Sequence, residues 1–128
     1  MRLLLDTHAF VWWAIDSPKL SGAARAAIGK ADVVLVSAVA AWEIATKHRL
    51  GKWPEAASLI SALPQTVRRL RFDELSLTLE HGSFAGSLPG PHRDPFDRML
   101  MAQAVLEHAT LVTVDPVFAT YGIATIWE

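Results

Sequence analysis

The sequence predicts an α/β domain built around a mostly parallel sheet of four or five strands. Short apolar runs without charge, such as Leu3–Leu5 and Val33–Val36, are typical of strands that are buried on both faces. Segments of helical length separate these runs, and signals for hairpin turns are few. We therefore expect successive strands to be joined by helical crossovers.

The composition is that of one globular domain covering residues 1–128. Hydrophobic residues make up 52% of the chain, and the mean hydropathy is +0.26, which argues against disorder. The chain has no cysteine, so disulfides and thiolate metal sites are excluded. The net charge of −1 gives no global attraction to nucleic acid, so a polyanionic substrate would need local basic patches or bound cations.

The N-terminal segment does not have the pattern of a signal peptide, because Asp6 interrupts the first apolar run and no small-residue cleavage site follows. No run of about 18 apolar residues is present that would span a membrane. We therefore expect a cytoplasmic protein that does not contact a membrane.

The first half of the chain alternates strands and helices. The strand Leu3–Leu5 stops at Asp6, and a helix is predicted over residues 8–15, followed by a turn at residues 16–18. Ser21 is the predicted N-cap of a helix that ends near Gly29. The second strand, residues 33–36, ends at Ser37, which is the predicted N-cap of a helix over residues 38–49. A further helix is predicted from Glu55 to about Leu63, ended by Pro64.

The second half continues the alternation less regularly. Residues 67–72 contain Arg68, Arg69 and Arg71 and are predicted to form a more exposed strand near a sheet edge, where charge discourages aggregation. The remaining predictions are a helix over 75–84, a loop over 82–91, a strong helix over 94–108, a strand over 110–114, a short helix over 117–121 and a last strand over 123–127.

Carboxylates follow the ends of the predicted strands. Asp6 follows strand 1 and Asp115 follows the strand over 110–114, so in a parallel sheet both lie at the same edge. In open α/β sheets ligands bind at that edge. Glu43 lies under two turns into the helix after strand 2, in an otherwise apolar stretch. Asp97 lies in the first turn of a helix that precedes the Asp115 strand. Helices that follow parallel strands begin at the ligand-binding edge, but this helix does not follow one, so topology alone predicts the position of Asp97 least firmly.

Each carboxylate also has a purely structural explanation. Asp6 is a possible helix cap, and Asp115-Pro116 is a possible turn. Asp94 fits the N-cap position before Pro95, with Asp97 at the third helical position, where it complements the helix dipole. Glu43 stands four residues before Lys47, a spacing that favours an exposed ion pair.

Together, four acids aimed at one sheet edge predict a metal site. Clustered carboxylates repel one another, and divalent cations neutralise that repulsion. Oxygen ligands without Cys or paired His suit Mg²⁺ or Mn²⁺. The chemistry that such a site supports is phosphoryl transfer to water.

The segments that carry these acids resemble those of PIN-domain ribonucleases, and more closely the toxin subunits of VapBC-type toxin–antitoxin pairs. The segments are Leu4–His8, Ser37–Ile44 followed by Lys47 and Gly51-Lys52, His92–Arg98 and Leu111–Asp115. They occur in the family's order and span nearly the whole chain. Each segment alone is a weak signal, whereas the set is specific.

This resemblance implies a three-layer α/β/α sandwich with strand 1 at the centre of the sheet. It implies an endoribonuclease that depends on Mg²⁺ or Mn²⁺, with one or two ions per site, and that releases the 3′-oxygen to leave a 5′-phosphate. It also implies a cognate VapB-like antitoxin that blocks the site, and commonly a homodimer. Carried over by position, the family's acidic quartet falls on Asp6, Glu43, Asp97 and Asp115.

Other residues match the family less directly. Thr7 and Thr113 resemble polar residues beside the metal site, and Asp94 belongs to the motif of the subgroup without being one of the four acids. The bases that are candidates for holding the RNA backbone are Arg98, which is the preferred one, together with Arg93, Lys47, Arg49 and Lys52. For each of them, solvated surface charge is an equally good explanation.

Five tryptophans are many for a chain of this length. Aromatic side chains stack single-stranded bases and also anchor protein interfaces. Trp12 and Trp13 are adjacent and cannot share one helix face, so at least one of them is expected at a dimer or antitoxin interface. His8 and His92 are weaker candidates as metal ligands or RNA contacts.

Three other classes of protein compete with this interpretation. A signalling receiver domain would need an extra acid pair near strand 1 and a Lys ending the last strand, and residues 123–127 contain no Lys. A hydrolase with Asp6 as nucleophile would need a second Asp two residues later, where His8 stands. A catalytically silent module that keeps the fold for protein binding is excluded only by activity data.

Overall fold

The computed structural model describes all 128 residues and confirms the predicted α/β architecture. The strands are β1 (Arg2–Leu5), β2 (Val33–Ser37), β3 (Asp73–Leu75), β4 (Thr110–Val112) and β5 (Thr125–Ile126). The helices are α1 (Thr7–Ala14), α2 (Gly22–Lys30), α3 (Ala38–Arg49), α4 (Ala57–Ile60), α5 (Leu63–Arg69), α6 (Leu79–Ser87), α7 (Pro95–Leu106) and α8 (Val117–Thr120), with a 3₁₀ turn at Pro54–Ala56 before α4.

All five strands are parallel and form one sheet in the order β3-β2-β1-β4-β5. As expected, β1 is central and pairs with β2 on one side and β4 on the other. The backbone N–H of Asp6 continues this pairing by donating to the carbonyl of Val112 over 3.1 Å. Asp6 therefore lies at the carboxyl edge of the sheet.

The sheet separates two apolar cores, and the side chains of β1 alternate between them. Leu3 and Leu5 belong to one core, which α1 and α2 cover, and Leu4 belongs to the other, which α7 and α8 cover. All three leucines are fully buried. The alternation follows from the two-residue period of a strand, and it gives the predicted three-layer sandwich. None of the helices combines the length and apolar character required to cross a membrane.

A buried hydrogen-bond pair joins α3 to α7. Ser37 caps α3, as predicted, because its Oγ accepts from the backbone N–H of Val39 over 2.9 Å. The same hydroxyl donates over 2.5 Å to Oε1 of Gln103, which is fully buried on α7. This link fixes the relative position of the two helices that carry Glu43 and Asp97.

The prediction for residues 54–72 is confirmed only in part, because helical turns begin at Pro54 as predicted but end at Ile60. Pro64 does not end a helix but lies in the first turn of α5, where its missing N–H costs no helical hydrogen bond. Residues 67–72 do not form an edge strand. Arg68 and Arg69 lie in the last turn of α5, where positive charge complements the helix dipole, and the edge strand is β3 further on.

The boundaries of α6 and of the loop after it are also displaced from the prediction. Helix α6 starts at Leu79 because Thr78 and His81 form a capping box there. Gly82 and Gly86 are helical, so the loop before α7 is confined to residues 88–94. Strand β4 ends at Val112, two residues earlier than predicted.

Candidate active site

A cavity of about 460 Å³ opens at the carboxyl edge of the sheet. Five carboxylates line it, and Lys47 is the one lysine or arginine among the lining residues. The carboxylates are those of Asp6, Glu43, Asp94, Asp97 and Asp115. The four acids that the sequence predicts to converge therefore line one cavity.

Asp6 both caps a helix and lines the cavity. Its Oδ1 accepts a hydrogen bond from the N–H of Ala9 over 2.8 Å, which makes it the N-cap of α1. The residue is only 7% exposed. Burial raises the pKa of Asp6 to about 6, an effect that Glu43 and Asp97 reinforce and that hydrogen bonds from Thr113 and Ala9 oppose. Asp6 is therefore both a helix cap and a member of the carboxylate cluster, the two roles that the sequence left open.

Glu43 is a buried member of the site and not half of an exposed pair. It projects from the second turn of α3 and is 7% exposed. The hydroxyl of Thr7 donates to its Oε1 over 2.6 Å, and the ammonium of Lys47 lies 2.6 Å from its Oε2. Lys47 also lies 5.6 Å from the ring centre of Trp53. The ion pair that the i,i+4 spacing suggests exists, but it lies at the cavity.

Asp97 is held by a residue whose role the sequence did not define. Nε2 of His92 donates to Oδ2 of Asp97 over 2.8 Å. Burial raises the pKa of Asp97, and the hydrogen bond from His92 opposes that effect. Asp94 is the N-cap of α7, as predicted, and accepts from the N–H groups of Phe96 and Asp97 over 2.9 and 3.4 Å. Asp94 thus orients the helix turn that presents Asp97.

Asp115 is the most exposed of the four acids. Since β4 ends at Val112, Asp115 stands in the turn that follows and not at the strand end itself. Its Oδ1 accepts from the N–H of Val117 over 2.9 Å, at the start of α8. Its own N–H donates to Oγ1 of buried Thr113 over 3.1 Å. The Thr113 side chain also lowers the pKa of Asp6, so Thr113 lies beside both acids.

The donor chemistry of these residues fits a hard divalent cation such as Mg²⁺ or Mn²⁺. All the candidate ligands are carboxylate oxygens, and the burial and mutual repulsion that raise the pKa of Asp6 would both be relieved by a positive ion. No three His, Asp or Glu side chains are, however, already gathered at the spacing of a metal site. Asp6, Glu43, Asp97 and Asp115 each accept a hydrogen bond from a protein group of their own.

Arg98, the preferred candidate for holding RNA, has another role. Its guanidinium donates to the carbonyls of Ala85 and His92 over 3.0 Å each, and to the carbonyl of Leu88. These contacts tie the end of α6 and the 88–94 loop to α7. Three of the five guanidinium N–H groups are used in this way, so Arg98 has a structural role, and its contact with a phosphate stays a prediction that the salt dependence of RNA binding tests.

The remaining bases differ in availability. Arg93 is exposed beside the acidic motif and its side chain makes no hydrogen bond or ion pair within the chain, and Lys52 is also exposed. Lys52 lines a neighbouring cleft, described below. Both remain candidates for RNA binding.

Tyr121 is a site residue that sequence reasoning missed. Its hydroxyl accepts from the backbone N–H of His92 over 3.0 Å. Gly90 permits this packing, because a Cβ at that position would lie 2.5 Å from the Tyr121 hydroxyl oxygen, and the φ angle of Gly90 is +104°. Nothing in the sequence connects Tyr121 to a motif 29 residues away.

The tryptophans pack within this chain to different degrees, and the interface predicted for Trp12 or Trp13 stays a prediction. Trp12 and Trp13 are both partly buried against one core of this chain, and their rings lie near Trp127 and Phe72, respectively. The exposed tryptophan is Trp42, with 54% of its surface accessible, although its ring contacts Phe96 at 4.8 Å. Neighbouring residues on a helix can therefore both pack inward when elements cover two sides of it.

The PIN domain model matches residues 3–124. Ribonuclease VapC22 of Mycobacterium tuberculosis is 32% identical over 115 residues, which are 88% of this chain and 86% of that protein. The structure of VapBC2 from Rickettsia felis, bound to a DNA fragment from its promoter, superposes with a TM-score of 0.73 at 18% identity and covers both chains fully. That of VapC20 of Mycobacterium tuberculosis, a toxin that cleaves the sarcin–ricin loop, gives 0.67 at 15% identity, covering 98% of this chain and 99% of that one.

Proposed function

The chain belongs to the PIN-domain family, and we propose that it is a metal-dependent endoribonuclease, the toxin of a toxin–antitoxin pair. The observation that carries this proposal is the convergence of four acids from separate parts of the sequence on one cavity at the carboxyl edge of the sheet. The 32% identity to Ribonuclease VapC22 supports the same activity.

The residues that would hold one or two ions of Mg²⁺ or Mn²⁺ are Asp6, Glu43, Asp97 and Asp115. Such ions, when bound, activate water and neutralise the charge that develops on the phosphate oxygens. The protein contributes the positions of the carboxylates. Thr7 and Lys47 orient Glu43, His92 orients Asp97, and Thr113 lies beside Asp6 and Asp115.

The proposed reaction is hydrolysis of an RNA phosphodiester. The water oxygen forms a bond to phosphorus, the bond from phosphorus to the 3′-oxygen breaks, and the 3′-oxygen takes a proton. The downstream product then carries a 5′-phosphate. A product with a 2′,3′-cyclic phosphate would contradict this proposal, because it would mean that the 2′-hydroxyl was the nucleophile.

The activity is tested by incubating the purified chain with single-stranded RNA in Mg²⁺ or Mn²⁺. Asp97→Asn should abolish cleavage while the circular dichroism spectrum stays native, because the amide keeps the side-chain volume and removes a charge. Glu80→Gln is the matched control, since Glu80 is exposed on α6 and does not line the cavity. Equal activity of both variants would refute the assigned role of Asp97.

A second candidate function is a catalytically silent module that keeps the PIN fold for protein binding. The observation in its favour is that the carboxylates are not gathered at metal-binding spacing. The two functions differ in one measurement: a silent module would leave RNA intact at any concentration of Mg²⁺ or Mn²⁺.

The proposed partners are RNA, a cognate VapB-like antitoxin and a second copy of the chain. The resemblance to VapBC pairs and the likeness in fold to VapBC2 support the antitoxin. Exposed apolar side chains such as Trp42 and Leu79 are available for protein contacts. Light scattering of the purified chain tests the homodimer, and inhibition of cleavage on addition of the candidate antitoxin tests that partner.

A further inference from the structure

A second cleft, of about 430 Å³, adjoins the carboxylate cavity. His8, Trp12 and Lys47 line both spaces, so the two are continuous. The second cleft is completed by Lys19, Lys52, Trp53 and Glu55. We call it the lysine cleft.

The two spaces carry opposite charge. The carboxylate cavity has five acids and one lysine, whereas the lysine cleft has three lysines and one acid. Lys47 is paired with Glu43 at 2.6 Å and Lys19 with Glu55 at 3.6 Å, while Lys52 makes no ion pair. A polyanion whose reacting phosphate enters the acidic cavity can therefore place its next phosphate near a free cation in the lysine cleft.

The lysine cleft also offers an aromatic surface. The ring of His8 lies over Trp53 with 4.6 Å between centroids and an interplanar angle of 34°, and it is 5.3 Å from the ring of Trp12. Trp53 is buried beneath it, whereas His8 is half-buried and lines both spaces. Aromatic rings of this kind stack the bases of single-stranded RNA.

A hydrogen-bond donor at this junction lacks a partner. The indole Nε1 of Trp12 is buried and makes no hydrogen bond, and it is the one such side-chain atom in the chain. Buried polar atoms are nearly always satisfied, so an exception calls for a reason. The Trp12 side chain contributes to lowering the pKa of Glu55, so this carboxylate is the acceptor that the indole faces, and the nitrogen itself is not open to a ligand.

We propose that the lysine cleft binds the nucleotide next to the scissile phosphate of a single-stranded RNA, with Lys52 contacting its phosphate and His8 stacking on its base. The inference rests on the proposed function, because it takes the reacting phosphate to lie in the carboxylate cavity. A base in a duplex is stacked on its neighbours, so only an unpaired nucleotide presents its face to His8.

Removing the charge of Glu55 should have the opposite effect on RNA binding to removing that of Lys52. Its exposed carboxylate accepts from Nε1 of Trp53 over 3.1 Å and pairs with Lys19. A phosphate in the cleft would meet the repulsion of this charge. Glu55→Gln keeps an oxygen acceptor for Trp53 and removes the charge, so it should strengthen RNA binding.

The experiment measures the anisotropy of a fluorescein-labelled eight-residue oligouridylate in the presence of chelator, so that no cleavage occurs. Lys52→Ala should raise Kd by 3-fold or more, and should reduce the slope of log K against log salt by about 0.7, the value for one phosphate contact on a single strand. Glu55→Gln should lower Kd. The control is Lys30→Ala, since Lys30 is exposed at the end of α2, before β2 and away from both clefts.

The ring of His8 is tested in the same assay. His8→Ala should raise Kd about 5-fold or more, and His8→Phe should restore it, because stacking on a base requires a ring. A blunt duplex of the same length should bind less well than the single strand and should not respond to either change.

The inference is overturned if Lys52→Ala and Lys30→Ala behave alike, or if single strand and duplex bind equally. Its failure is separable from that of the proposed function. Cleavage that is lost on Asp97→Asn while Lys52→Ala binds normally would keep the nuclease and reject the cleft. RNA binding that depends on Lys52 without any cleavage would keep the cleft and reject the nuclease.

Discussion

The hydroxyl of Thr7 donates a hydrogen bond of 2.6 Å to Oε1 of Glu43, and both residues are buried. Thr7 is the first residue of α1 and follows Asp6 directly, whereas Glu43 lies on α3. The bond therefore connects the helices that follow the neighbouring strands β1 and β2. It also fixes one oxygen of a carboxylate whose other oxygen pairs with Lys47.

Thr7→Val is expected to weaken both stability and cleavage, because Glu43 loses a donor while it stays buried. Hydrogen bonds to charged groups are worth about 1.5–3 kcal/mol, and that is the expected loss in the free energy of unfolding in urea. Thr7→Ser keeps the hydroxyl and should behave like the wild-type protein. A loss of stability in Thr7→Ser with none in Thr7→Val would show that the methyl packing of Thr7, and not its hydroxyl, matters.

Asp6 is expected to make the stability of the metal-free protein depend on pH. Burial raises its pKa from 3.8 to about 6, so the folded state binds the proton more tightly than the unfolded state. The contribution of protonated Asp6 is complete below pH 3.8 and is lost as pH rises through about 6. Above that pH the ionised carboxylate lowers the free energy of unfolding by roughly 3 kcal/mol, because each unit between the two pKa values corresponds to about 1.4 kcal/mol.

Asp6→Asn removes this cost and keeps a good N-cap for α1. The difference in unfolding free energy between Asp6→Asn and wild type, measured in urea with chelator, should grow in favour of Asn between pH 4 and pH 7. A difference that is constant over this range would contradict the raised pKa.

Mg²⁺ or Mn²⁺ is expected to raise the melting temperature of the antitoxin-free chain. An ion that binds only the folded state adds about 2.7 kcal/mol at one hundred times its dissociation constant. The shift should disappear in Asp97→Asn and persist in Glu80→Gln. Absence of any shift at millimolar metal would count against a preformed ion site in the free protein.

Arg98→Ala is expected to destabilise the protein and leave the salt dependence of RNA binding unchanged. Its guanidinium serves three backbone carbonyls of α6 and the following loop, and losing them should cost about 2 kcal/mol or more. Arg98→Lys should not restore the stability, since an ammonium lacks the planar fork of donors. Arg93→Ala is the control, because Arg93 is exposed and its removal should leave the free energy of unfolding unchanged.

Much of the site could be predicted because its parts are local. The apolar run Leu3–Leu5 determines a buried strand, and Asp6 must follow at its end. Ser37 and Asp94 are N-caps whose hydrogen bonds reach only two or three residues along the chain. Hydrophobic period and capping chemistry are properties of neighbouring residues, so the sequence by itself determined the parallel α/β fold and the position of Asp6 at its edge, whereas the packing of α7 decided that Asp97 lines the same cavity.

What only the tertiary structure decided depends on contacts between distant residues. Pro64 begins a helix or ends one according to what packs around it, and sequence spacing does not settle which. Three N–H groups of Arg98 donate to carbonyls 6 to 13 residues away, and Tyr121 reaches His92 across 29 residues. The sequence gives the charge of a side chain, whereas the fold decides how many of its hydrogen-bond donors stay free. Three donors of Arg98 bind carbonyls of the chain, while Lys52 makes no ion pair and is exposed.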